Sequence, residues 1–240
     1  RPGLGRSGAP GGGVRTPGGG PPRYAHPLVL LLLAGPFYVN DFASIHLTDW
    51  RWWLAVDYLG VKLLPLVVVG WLLARGHMTA PGLGLRAQPP AAALGTFALA
   101  GLAATLIDQN AYDLLEGLPG YPPLGAMPPI TDPVWDGVDL TLGLALVAVC
   151  EELVFRGYLA AYLERLTRNP LAIILVSSLA FGLIHWSAGL HAVLVTAAIG
   201  ALFMAVYLRT RSLPAVMAAH FAVNLIDFAG VVPERWFTFV

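Results

Sequence analysis

The chain has almost no thiol and almost no lysine. Cys150 is the single cysteine of 240 residues, so neither an intrachain disulfide nor a cysteine-built metal cluster can form. Lys62 is the lone lysine, and every other Lys/Arg position is arginine. Charge of either sign is scarce. Charged residues make up 12% of the chain, against about 25% in a soluble domain, too few to cover the surface of a soluble fold this size. The 14 basic and 14 acidic side chains cancel, and no basic tract stands out beyond scattered arginines, which argues against a nucleic-acid partner.

What the chain has in excess is apolar sequence, 57% of its residues. Seven apolar segments can be read off, each near the roughly 20 residues that cross a bilayer: 26–46, interrupted by Asn40 and Asp41; 52–73; 91–107; 140–162, with a charged cluster inside it; 171–186; 190–208; and 214–230. The expectation is an all-α fold, a polytopic transmembrane helical bundle of about seven spans, with the lipid bilayer as its surroundings.

The loops carry an independent sign. Cytosolic loops are enriched in Lys and Arg. With a cytosolic N-terminus, Arg75 and Arg86, then Arg165 and Arg168, then Arg209 and Arg211 all fall inside. The stretch from Asp108 to Asp139 falls outside, with Asp113, Glu116, Asp132 and Asp136 and no basic residue. Its Pro/Gly-rich centre, GLPGYPPLGAMPPITDP, is a poor helix former and reads as a structured connector or as a lid. The first 25 residues, dominated by Gly and Pro with a few Arg, read as a disordered basic tail. A signal peptide is the rival reading, but Gly35-Pro36-Phe37 continues as apolar sequence without a small-x-small stop. The domain division is 1–25 tail and 26–240 membrane-embedded domain.

Ionisable side chains within a span mark function by default, because lipid cannot solvate them. The fourth segment holds Glu151-Glu152-Leu153-Val154-Phe155-Arg156. Glu152 and Arg156 are four apart, share a helix face and can pair. Glu151 lies about 100° round the helix from Glu152, so it cannot share that arginine equally. A paired, supporting Glu152 and a freer Glu151 follow. The fifth segment ends with Phe181 and His185, and the seventh carries His220 and Asn224 on one face, with Asp227 a turn further. Counted along ideal helices, Glu151 and His185 lie roughly 20 Å from the cytosolic ends of their helices, while His220 and Asn224 lie roughly 10 and 15 Å from Pro214. A seventh helix beginning near Arg209 would close most of that gap. Phe181 and Cys150 read as packing, His191 as solvent-facing, and Asp57 and Lys62, five apart, as snorkelling or paired. A carboxylate with two imidazoles is also a Zn²⁺ set, but no His-Glu-x-x-His helix is present and an asparagine is a poor fourth ligand, so neither metal nor cofactor is expected.

In order and in membrane context, Glu151-Glu152-x-x-x-Arg156, Phe181-x-x-x-His185 and His220-x-x-x-Asn224 resemble the motifs of the CPBP family, also called ABI, which includes prenyl-protein (CAAX) endopeptidases and bacterial immunity or processing proteins. The resemblance covers about a third of the chain and implies a glutamic intramembrane endopeptidase acting on a peptide or protein substrate at a cell membrane. It casts Glu151 as the base that deprotonates water, His185 as the group that orients it, His220 and Asn224 as the oxyanion's donors, and Glu152 and Arg156 as structural support. A non-catalytic scaffold or immunity protein of the same fold, and an ion- or proton-relay transporter, are the alternatives. Arginine-rich, lysine-poor usage points to a high-GC prokaryote, and so to its inner membrane.

Overall fold

The computed structural model describes residues 26–116, 118, 120–233 and 236–239; the expected tail 1–25 lies outside them. The described residues fold into seven helical runs with no strand. They are α1 (Pro27–His46), α2 (Trp50–Ala74), α3 (Pro90–Glu116), α4 (133–166), α5 (Pro170–Ala188), α6 (Leu190–Thr210) and α7 (Pro214–Ala229). Five of the seven begin on a proline: Pro27, Pro90, Pro133, Pro170 and Pro214. Proline suits that position because its missing N–H would have no helical partner there and its φ is already helical. Side-chain caps from Asp49, Asp132 and Asn169 accept the first free amides of α2, α4 and α5.

The helix α4 is the axis of the molecule. Residues 151–161 are buried without interruption, so this stretch is covered on every side, as in a helix at the centre of a bundle. Phe37 of α1 and Phe181 of α5 pack edge-on against Phe155, at 5.8 and 5.4 Å between centroids. A second apolar cluster joins α3, α6 and α7 through Ala104, Phe203 and Ala219.

Five helices are long and apolar enough to cross a membrane: α1, α2, the stretch Pro90–Ala111 of α3, α5 and α6. The other two differ for visible reasons. Glu151, Glu152 and Arg156 interrupt α4, and α7 has 16 residues, or about 24 Å of helix against a core of about 30 Å.

One expectation needs correction. The acidic stretch 108–139 is not one outer loop: α3 continues to Glu116 and α4 starts at Pro133, so Asp108, Asp136 and Asp139 are helical. The seventh helix starts at Pro214, as the apolar segment 214–230 indicated, and no earlier start near Arg209 closes the depth gap: Thr210 ends α6 and Arg211 turns left-handed with φ 56°.

Three segments wind as π-helix: Asp57–Leu63 in α2, and Asp139–Gly143 and Glu152–Leu159 in α4. Such wide turns are rare and gather at functional sites. The first two line the cavity described next, and the third starts directly after Glu151, which lines it too.

Candidate active site

A cavity of about 560 Å³ opens between α1, α2, α4, α5 and α7, and Glu151, His185, His220 and Asn224 all line it. Four groups scattered over 74 residues of sequence thus meet on one surface. The shallow count for His220 does not keep it from the glutamates.

Glu152 and Arg156 sit behind the cavity wall with side chains 0% exposed, Arg156 Nη1 standing 3.0 Å from Glu152 Oε1. Arg156 Nη2 donates to the Gly200 carbonyl at 3.4 Å. The guanidinium lies 4.0 Å from the Phe181 ring centroid and 5.7 Å from that of Phe203, so aromatic faces take up part of a charge that water cannot reach. Phe181 packs, as its sequence position suggested, and also serves as a cation-π partner.

The spacing of residues within each helix did not show the role of His220. Its Nδ1 is 2.9 Å from Glu152 Oε1, and its Nε2 is 3.5 Å from Glu151 Oε2. The imidazole therefore bridges the two adjacent carboxylates. A carboxylate paired with arginine can only accept, so Nδ1 carries a proton and donates it to Glu152. At 3.5 Å the Nε2 contact is longer than a good hydrogen bond, which leaves the inner oxygen of Glu151 open to a third group. Asn224 stands one turn along α7 on the same wall.

His185 occupies the 3-10 turn Leu183–Ala188 that ends α5, with non-helical φ −100° and ψ 26°. Its Nδ1 lies 3.3 Å from the Phe181 carbonyl. A carbonyl can only accept, so Nδ1 carries the proton, and a neutral ring keeps its lone pair on Nε2. Gly189 follows with φ 100°, a backbone conformation open to glycine and costly to other residues; it lets α6 start directly after this turn.

The opposite wall holds groups that the motifs did not include. Lys62 is buried in an ion pair with Asp57, which also accepts from Asn40. The π-helical turn explains the five-residue spacing, since its i→i+5 repeat brings those two positions onto one face. Lys62 stacks over Tyr58, whose hydroxyl donates to Asp139 at 3.0 Å. Cys150 donates to the Lys62 carbonyl at 3.2 Å, which ties this wall to the residue preceding Glu151. The available signal was the presence of charges inside an apolar span; the period that related them was not α-helical.

The connector between α3 and α4 supplies part of the cavity lining and is tied to the α5–α6 turn. Leu124 N donates to the Ser187 carbonyl at 2.7 Å, and Leu190 N donates to the Tyr121 carbonyl at 3.1 Å. Pro123, Gly125 and Met127 line the cavity. His191, read from sequence as solvent-facing, is half-buried and also lines it. Among the described residues, no three His, Cys, Asp or Glu side chains converge as a metal-ligand group.

No curated protein and no solved structure matches the chain. A family model does match, described as Type II CAAX prenyl endopeptidase Rce1-like, over residues 133–226. That interval runs from the first residue of α4 into α7 and contains every motif residue named above. Over this segment the chain is similar to the Rce1-like family of CAAX endopeptidases.

Proposed function

We propose that the chain is a membrane-embedded endopeptidase of glutamic type, hydrolysing a peptide bond with water activated by Glu151. The observation that carries this reading is the meeting of Glu151, His185, His220 and Asn224 in one cavity, with the Glu152–Arg156 pair sealed behind them.

Water held between the Glu151 carboxylate and the His185 Nε2 lone pair gives its proton to Glu151 as its oxygen attacks the substrate carbonyl. The resulting oxyanion accepts hydrogen bonds from the His220 Nε2–H and the Asn224 amide. Glu152 accepts from Nδ1–H and so fixes the ring with Nε2 turned toward Glu151. Collapse of the tetrahedral intermediate breaks the C–N bond, and Glu151 returns the proton to the leaving amine. In a site short of water each of these contacts is stronger than in solution.

The matched family's description makes a prenylated peptide the first substrate to test; a leader peptide or membrane protein processed in a prokaryotic inner membrane is the alternative. The same reading puts the N-terminus and the arginine-bearing ends in the cytosol, with all seven helical runs as spans.

The test uses detergent-purified protein, an S-farnesylated peptide and an unmodified peptide library, each with and without hydroxylamine. Direct attack by water yields the free acid alone. A hydroxamate product would reveal an acyl-enzyme and overturn the Glu151-activated water. Cleavage that is removed by chelator and restored by Zn²⁺ would replace the mechanism with a metal-dependent one.

A further inference from the structure

A second concavity, of about 380 Å³, lies at the arginine-rich end of the bundle, between the α4–α5 corner and the end of α6. Glu164, Thr167, Arg168, Ile173, Leu208 and Arg211 line it. We propose that this groove binds the headgroup phosphate of an anionic phospholipid, with Arg168 and Arg211 as its cationic ligands.

Arg211 is the one non-glycine residue with positive φ among the described residues. It follows the last turn of α6, where glycine caps a helix without strain. An arginine there is conformationally costly, and what it adds is a guanidinium at the rim of the groove. That guanidinium is anchored to Glu164 of α4 by an ion pair and lies 5.9 Å from the Tyr207 ring. The Glu164 carboxylate and the Tyr207 hydroxyl engage only part of its five N–H donors. Arg168 is exposed on the facing rim. Two arginines against one glutamate give the groove a net positive charge, matching the single negative charge of a phosphodiester. Ile173 and Leu208 supply apolar lining, and exposed Leu166 and Leu171 flank it, so acyl chains have a surface to follow. Basic pockets between helices at the headgroup level are where anionic lipids bind membrane proteins.

The test is native mass spectrometry of the full chain from mixed micelles, comparing retained dioleoylphosphatidylglycerol with dioleoylphosphatidylcholine. The wild-type chain retains the anionic lipid preferentially. Arg168→Gln and Arg211→Gly each lower that preference about fivefold, and the double variant has none. Glycine suits the left-handed position, so Arg211→Gly keeps the wild-type unfolding temperature. Arg75→Gln with Arg86→Gln is the control. Those residues sit at the same end, where the Ser212 hydroxyl donates to the Arg86 carbonyl, but outside the groove, and their loss leaves the preference unchanged. The proposal is overturned by equal retention of the two lipids in the wild-type chain, by a preference that survives in the double variant, or by an equal loss in the control. Displacement of the lipid by millimolar inorganic phosphate would also overturn it, because the groove would then be a general oxyanion site.

Discussion

His220 and Arg156 both direct positive or proton-bearing nitrogen at Glu152, in a place that water does not reach. Glu152→Ala removes the shared acceptor from both. Breaking a buried pair by deleting one partner costs about 3–5 kcal/mol, so thermal unfolding in detergent is expected to fall by that order; an unchanged unfolding temperature would contradict the supporting role. The opposite wall obeys the same physics. Asp57→Asn strands Lys62 at a similar cost, whereas Asp57→Leu with Lys62→Met removes both charges and is expected to be close to neutral. A double variant less stable than the single one would show that the pair is not compensating. Part of this was legible in the sequence, since the four-residue interval of Glu152 and Arg156 and the offset of Glu151 separated the two carboxylates correctly. The bridge from His220 was not legible, because it joins α7 to α4 and no spacing within one helix encodes a contact between two.

The helices α5 and α6 meet across Gly182. A Cβ there would clash with the Val193 carbonyl oxygen and lie 2.8 Å from the Ala197 Cβ, and small residues allow this kind of close helix approach in membranes. Gly182→Ala must therefore push α5 away from α6. Overpacking of this kind costs about 1–3 kcal/mol, and it displaces His185, three residues on. The expected outcome is a lower unfolding temperature together with reduced turnover; wild-type values of both would contradict the contact. All seven helical runs were legible as apolar segments, with their starts within a few residues apart from that of α4, which begins seven residues before its apolar segment. Apolar content does not report the hydrogen-bond repeat, so the three π-helical stretches left no trace in it. The acidic outer segment was misjudged because Asp and Glu were counted as loop residues, although α3 continues through Asp108 and α4 begins at Pro133.

At the scale of the whole molecule, the arginine asymmetry predicts which ends face the same compartment. Cys150 is buried, so the wild-type chain offers no accessible thiol and single cysteines can be added one at a time. With an impermeant maleimide, Arg75→Cys and Arg168→Cys are expected to label from the cytosolic face, and Met127→Cys from the opposite one. Labelling of Arg75→Cys and Met127→Cys from the same face would refute the orientation. The central claim is that Glu151 activates the water that cuts the peptide bond. It is tested most directly by comparing peptide cleavage by the purified wild-type chain and Glu151→Gln, with thermal unfolding of both measured in the same detergent. The account predicts a fall of about 10²–10⁴-fold or more in turnover with an unfolding temperature near that of the wild type, because Glu152 retains His220 and Arg156. Cleavage at the wild-type rate by folded Glu151→Gln would contradict it.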